Sequence, residues 1–260
     1  MKTEDQTIFQ PIQGDTEFSF QCHPGIACFN HCCSKLNLTL TPYDIVNLKK
    51  LLQLDSSSFL DRYTRIFVDR QTGLPGVRLK MLENNEKSCP FLTPEGCAVY
   101  QARPAACRLY PLGRATARPQ RSSTGITEKF FLVRESHCLG FKENLSWTPA
   151  EWIKHEGLHA YLEVNDPWQQ AVMEISLTHN NENSEKKNNM FFMASYNLDR
   201  FRAFIFKSSF LERFDVDETT KEGIYQNDEA LLLFAIEWIK FAFIGKKSAV
   251  IKVKNPGIKL

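Results

Sequence analysis

Apolar residues recur at helical steps early in the chain: Ile45, Leu48, Leu51 and Leu52 share one face, which predicts an amphipathic helix. Thr41 supplies an N-cap, Pro42 suits the first helical position, and Asp44 stands where a capping box needs an acid. After Ser56-Ser57-Ser58, the four-residue spacing of Phe59, Tyr63 and Phe67 predicts a second helix that reaches Phe67. The period then changes. Val77, Leu79 and Met81 alternate with Arg78 and Lys80, the signature of a half-buried strand, and Phe130 to Val133 is a second strand candidate. Thr148-Pro149-Ala150-Glu151 is a full capping box, and Asp166-Pro167-Trp168-Gln169 repeats the device ahead of Val172 and Ile175. The polar stretch from His179 to Asn189 is expected to be a mobile loop. Leu198, Phe201, Phe204 and Ile205 mark another amphipathic helix near a cap-like Asp199. Asn227-Asp228-Glu229 opens the last helix, which Gly245, Lys246 and Lys247 close. From Leu231 to Ile244 that helix is apolar nearly all round, so it is expected to be buried. No repeat of fixed period is visible. The pattern predicts an α+β chain, mainly helical.

Composition adds one sharp asymmetry. All eight cysteines precede residue 139, and the rest of the chain has none. This suggests a small cysteine-rich domain with short strands over 1–145 and a helical region over 146–260. The chain has 260 residues, enough for a core that needs no disulfide staples. Its net charge of +2 gives no strong attraction to nucleic acid or anionic lipid, so neither is expected as a partner. The opening Met1-Lys2-Thr3-Glu4-Asp5-Gln6 has acids where a secretory signal is basic. The most apolar run, Leu231 to Ile244, is interrupted by Glu237 and Lys240 and is too short to span a bilayer. A cytoplasmic location is therefore expected, and there clustered cysteines read as metal ligands rather than disulfides.

The cysteines fall into groups. Cys22, Cys28, Cys32 and Cys33 lie within twelve residues, Cys89 and Cys97 bracket a Pro- and Gly-containing loop, and Cys107 and Cys138 follow. Thiolate is a soft donor suited to zinc and to iron–sulfur clusters. Short spacings place several donors on one loop and lower the closure cost of a site. Gly25 and Gly96 sit inside the two tight loops, where positive φ is expected. The side chains of the adjacent Cys32 and Cys33 are expected to diverge. His23, His31 and His137 each neighbour a cysteine and are read as supporting or exposed residues rather than ligands. Arg103 and Arg108 flank Cys107 and can offset the charge of a multi-thiolate centre. Arg114, Arg118 and Arg121 read better as a solvated basic face, and no aromatic interleaving suggests nucleic acid.

The runs Cys89-Pro90-Phe91-Leu92, Gly96-Cys97-Ala98-Val99-Tyr100 and Arg103-Pro104-Ala105-Ala106-Cys107-Arg108-Leu109-Tyr110-Pro111 follow a cluster ending in Cys32-Cys33. Together they resemble the YkgJ-type cysteine-cluster proteins, a bacterial family described as zinc- or iron-chelating and often as iron–sulfur proteins. The likeness covers about residues 20 to 141, with Cys138 in the place of the family's closing cysteine. One departure is the three residues between Cys28 and Cys32, where the usual pattern has two. The resemblance implies an iron–sulfur cluster, or alternatively zinc, held by the cysteines. A looser likeness is to flagellin lysine N-methylases, which would imply an S-adenosylmethionine-dependent protein methyltransferase, although no glycine-rich methyl-donor loop is present. A third expectation is a structural zinc module whose aromatic helical half meets a protein partner. There is no P-loop, Rossmann fingerprint, nucleophile elbow or His-Glu-x-x-His helix. Glu151, His155 and His159 at four-residue spacing read as an exposed polar helix face sooner than as a metal site.

Overall fold

A computed structural model of the chain describes residues 7–117, 127–178 and 185–254. Of these residues 48% are helical and 19% lie in strands, so the fold is α+β and mainly helical. Arg118 and Arg121, the first six residues and the beginning of the polar stretch at His179 lie outside the described residues. No helix among the described residues is long and apolar enough to cross a membrane. Contacts divide the chain into two units, Met1–Leu36 with Met81–Ala160 and Asn37–Lys80 with Tyr161–Leu260. Residues 37–80, which lie between cysteine groups in sequence, thus group with helical residues from beyond position 160.

The first unit is built on short antiparallel pairings. Strand Thr127–Glu135 lies between Thr7–Ile12 and Leu112–Ala117, in a register that sets Leu112 opposite Leu132, and both are buried. Phe18–Ser19 pairs with Ser146–Trp147, and Leu92–Thr93 forms a small hairpin with Gly96–Cys97. Helix Pro149–His155 starts at the expected capping box: Thr148 accepts from Glu151 N–H, and the Glu151 carboxylate accepts from Thr148 N–H. It buries Trp152 against the rings of Phe18, Phe20 and Trp147. Both indoles are satisfied: Trp152 Nε1 donates to Leu109 O and Trp147 Nε1 to Phe20 O, both at 2.9 Å.

The second unit has one three-stranded sheet, with Pro75–Leu79 between Thr39–Leu40 and Thr64–Val68. Helix Pro42–Leu51 has the capping box expected of Thr41 and Asp44. Helix Asp228–Ile244 is capped by Asn227 and ends on Gly245 in the left-handed region at φ 66°. Its Trp238 meets Phe210 at 4.9 Å and Phe214 at 5.1 Å between ring centroids. Lys49 is buried and bridges two carboxylates, Asp199 at 2.9 Å and Asp228 at 2.7 Å, and both also receive Arg202.

Several local expectations are corrected. The second helix is Ser56–Tyr63 and does not reach Phe67, which lies in strand Thr64–Val68. There the β-branched Thr64, Ile66 and Val68 alternate, and pairing with Leu79, Val77 and Pro75 holds them extended. Asp166-Pro167 starts no helix, because helix His159–Thr178 runs through Pro167. The buried Val164, Ala171 and Ile175 lie on one face across the proline, and their packing offsets a local cost of about 3 kcal/mol. Residues 185–189 are helical as the first turns of Glu185–Tyr196, whose far end buries Phe191, Ala194 and Tyr196. Asn197 rather than Asp199 caps Leu198–Lys207, leaving Asp199 to accept from Ser56 and Lys49. Glu151 and His155 do not share a helix with His159, since Pro149–His155 ends before Gly157, at φ 65°, and a new helix begins at His159.

Candidate metal centre

The first cysteine loop is folded by its own backbone. Ile26 N–H donates to His23 O, Phe29 N–H to Ile26 O and His31 N–H to Cys28 O, so the chain turns repeatedly from Cys22 to Cys33. Asn30 takes φ 70° and opens the 3-10 helix His31–Cys33. Gly25 does not enter the left-handed region; a Cβ there would stand 3.0 Å from the His23 ring, whose Nδ1 accepts from Gly25 N–H. At Gly96 the expectation of positive φ is met, at 127°, and the Phe29 ring lies against it, 3.3 Å from where a Cβ would be. Glycine there lets the hairpin turn tightly and lets the first loop approach.

Other bonds tie the loops to one another. Cys89 N–H donates to Cys33 O at 2.8 Å, beside the bridge between Ser34 and Ser88. The Asn30 side chain donates to Thr93 O. At the far side Gln21 N–H donates to Gly140 O at 3.1 Å, and Leu139 N–H donates to the Cys28 sulfur at 3.2 Å. Cysteines more than one hundred positions apart thereby reach one neighbourhood. None of the eight is in a disulfide; Cys22 is exposed and the others are half-buried. Cys107 lies on the short helix Ala105–Leu109. Cys32 and Cys33 are adjacent in the 3-10 helix His31–Cys33, and the Cys33 side chain lies close enough to act on the Cys32 thiol.

These thiols resist ionisation one at a time. Contact with Cys33, then burial, pushes the Cys32 thiol up. Cys22 is exposed as a residue, but its sulfur faces the other loops, and partial loss of water there, then Cys32, Cys28 and Cys138, raises the thiol to about 11. Burial also raises Cys89, Cys97 and Cys138. Each thiolate would sit among other sulfurs in a poorly solvated place, and a cation removes that penalty by neutralising them together. Arg103 acts in the same direction, since its guanidinium favours the thiolates of Cys22 and Cys97. It is held by the buried Glu156 carboxylate and lies 4.1 Å from the Tyr100 ring centroid. Arg108 donates to the carbonyls of Gln101, Arg103 and Glu156, which fastens the Cys107 helix to the end of Pro149–His155.

Histidines border the group. The His31 and His137 rings meet at 5.8 Å, His137 Nε2 is 3.6 Å from Glu135, and His23 Nε2 is 3.6 Å from Glu143. Glu135 also lies close enough to raise Cys32, and Tyr110 lies beside Cys138. Sequence reasoning missed Glu135, Tyr110 and Glu156, because none stands in a cysteine spacing and only the folded pairing brings them near. Among the described residues no three His, Cys, Asp or Glu side chains stand in a coordinating arrangement. The donors are gathered by their loops without being locked about a point, and as an all-sulfur set they fit a thiophilic metal.

The comparisons agree with this chemistry. No curated protein and no solved structure matches the chain. Residues 21–139 match the family model CxxCxxCC, described as "Putative zinc- or iron-chelating domain". The match begins one residue before Cys22 and ends one after Cys138, so it frames the whole cysteine set. Five residues separate Cys22 from Cys28 and three separate Cys28 from Cys32, both longer than the gaps in the family's name. Over residues 21–139, somewhat less than half of its length, the chain is thus similar to the cysteine-cluster domains that this family model describes.

Proposed function

We propose that the cysteines hold an iron–sulfur cluster used for redox or cluster-related chemistry, in a compartment that keeps thiols reduced. The observation that carries this reading is the convergence of Cys22, Cys28, Cys32, Cys33, Cys89, Cys97 and Cys138 as charge neighbours from loops far apart in sequence. When bound, such a cluster supplies a site that takes up and releases single electrons. The protein's part is to gather thiolates, to lower their mutual repulsion through Arg103, and to shield the sulfurs partly from water. The Phe20, Phe141 and Tyr110 rings pack together at 5.2 and 5.9 Å beside the segment that carries Cys138. They form an apolar wall that favours a centre of low net charge.

Purification without oxygen, followed by measurement of iron, acid-labile sulfide and zinc per chain, tests the proposal. Brown protein with iron and sulfide is the expected result. Stoichiometric zinc without iron, from cells supplied with both metals, would overturn the iron–sulfur assignment and leave thiolate chelation standing.

A further inference from the structure

Strand Thr64–Val68 is an outer strand of the sheet in the second unit, and among the described residues no strand pairs with its other edge. Its register against Pro75–Leu79 runs without a bulge. Lys80 N–H donates to Tyr63 O at 2.7 Å and Asp69 N–H to Leu74 O at 2.9 Å. In an antiparallel pair this phase turns the backbone groups of residues 65 and 67 towards the neighbouring strand and those of Ile66 and Val68 away from it. Thr64 also turns its carbonyl outward, while its N–H is used by Leu60 O. Ile66 and Val68 share one face of the strand and are 60% and 58% exposed. Strand Thr7–Ile12 in the first unit is likewise an edge with exposed apolar residues, Ile8 and Phe9. There Val133 N–H donates to Pro111 O, so Leu132 bonds towards Gln10, and Phe9 and Pro11 face outward. Pro11 has no N–H to offer, which guards that edge. Thr64–Val68 carries no such guard.

We propose that Thr64–Val68 is a docking edge for an extended acidic segment of another protein, which joins the sheet as a further strand. In such pairing main-chain bonds supply affinity and alternate side chains supply specificity. Every second residue of the segment lies against Ile66 and Val68, on the face where Leu40, Val77 and Leu79 are buried, so those residues are apolar. The residues between them fall on the opposite face, beside Arg65 and Phe67. There Arg65 stands directly opposite Arg78, whose guanidinium lies 3.9 Å from the Phe67 ring centroid. Like charges placed opposite one another oppose the pairing, and a carboxylate laid beside them is favoured. Between residues 61 and 80, Arg62, Arg65, Arg70, Arg78 and Lys80 stand against Asp61 and Asp69, five charges against two. That local surplus of three exceeds the net +2 of the whole chain. Asp69 is moreover engaged by Gln71 N–H and Thr72 N–H within its own turn. The same surplus decides the occupant. A second copy of this strand brings an equally basic edge, whereas alternating apolar and acidic residues complement both faces. The inference is independent of metal binding.

The test uses the full chain and a short fluorescent peptide of alternating valine and glutamate, with a valine–lysine peptide as its counterpart. Binding is followed by fluorescence anisotropy, and hydrogen exchange at the Ile66 and Val68 amides by nuclear magnetic resonance. The acidic peptide is expected to bind saturably and to slow exchange at both amides about tenfold, and the basic peptide to bind about tenfold more weakly. Val68→Pro removes one outward N–H without touching a bond to Pro75–Leu79, and is expected to weaken binding about tenfold. Arg65→Glu is expected to reverse the preference between the peptides. Should a variant fail to fold, methylating alternate backbone nitrogens of the acidic peptide blocks the same bonds on an unchanged protein, with the same loss expected. Absence of saturable binding, binding that leaves the two amides unprotected, or equal binding of the two peptides overturns the proposal. Protection of those amides in the peptide-free chain that grows with protein concentration overturns it in favour of a second copy.

Discussion

In the second unit Phe210, Phe214, Phe234, Trp238 and Phe241 meet ring against ring around helix Asp228–Ile244. The first unit has an aromatic nucleus of its own about Phe20 and Trp152, but its cysteine loops run over two-residue strands and 3-10 turns. Two-residue pairings and single turns close few hydrogen bonds for the chain entropy they fix. Apolar burial accounts for the order of the helical unit, whereas the cysteine loops would gain cross-links from the proposed thiolate–metal bonds. On that proposal the source of stability differs: packing in one unit, coordination added to packing in the other.

The largest effect that can break this contrast is metal removal. Ligands drawn from Cys22 to Cys138 make binding energy into folding energy, on the order of 10 kcal/mol where zinc orders a small domain. A chelator is expected to speed proteolysis within residues 81–160 at least tenfold, and to leave the segments 37–80 and 161–254 nearly unaffected. Mapping early cleavage sites by mass spectrometry checks this. Sites in 37–80 that appear as early as those after Met81 would count against separate sources of stability.

A smaller effect, of opposite placement, is expected at Lys49. Its amine is buried between Asp199 and Asp228, and Ser56 N–H and Oγ also donate to Asp199. Desolvation would raise the Asp199 carboxyl, but the bonds from Lys49 and Ser56 outweigh it and hold the group down at about 2. A depressed folded value means that the unfolded chain binds the proton first. The contribution is thus present above the unfolded carboxylate value, near 3.9, and is lost as pH falls through about 2. Lys49→Met leaves the two carboxylates Arg202 as their cation, with Ser56 still donating to Asp199, and is expected to cost about 3 kcal/mol. In the variant, unfolding between pH 4 and 2 should depend less steeply on pH. Urea unfolding across that range, with metal per chain measured alongside, tests both halves, since metal content is expected to stay unchanged.

How much of this was legible depended on whether the signal was local. Thr41, Pro42 and Asp44, Thr148 and Glu151, and Asn227 with Gly245 announce helix ends through short-range bonds, and they stand where the sequence put them. The cysteine set likewise stands out in composition and spacing alone, and the family model frames the same residues. Phe67 and Pro167 misled because long-range packing decided them: pairing of Ile66 with Val77 in one case, burial of Val164, Ala171 and Ile175 in the other. The grouping of 37–80 with residues beyond 160 has no local signature, nor do the places of Glu135, Tyr110 and Glu156 beside the cysteine loops.

The smallest expected effect compares two copies of one device. Thr41 with Asp44 and Thr148 with Glu151 form the same capping box, each threonine accepting the N–H three residues on and each acid accepting the threonine N–H. At Glu151 those bonds hold the carboxyl below the usual range. Replacing either threonine by alanine removes one cap, a local cost of about 1 kcal/mol in both places. The consequences should part company. Helix Pro42–Leu51 buries Ile45, Val46 and Leu48 within the packed unit, so Thr41→Ala is expected to lower the unfolding midpoint and leave the metal alone. Helix Pro149–His155 is followed by Glu156, which holds Arg103 by its carboxylate and Arg108 by its carbonyl. Fraying of that helix loosens the arginine beside Cys22 and Cys97, so Thr148→Ala is expected to release metal to a competing chelator several-fold faster with little change in the midpoint. Chelator-exchange rates and denaturation midpoints measured on both variants decide the matter. Equal metal release from the two variants would show that Arg103 and its support do nothing for the thiolates.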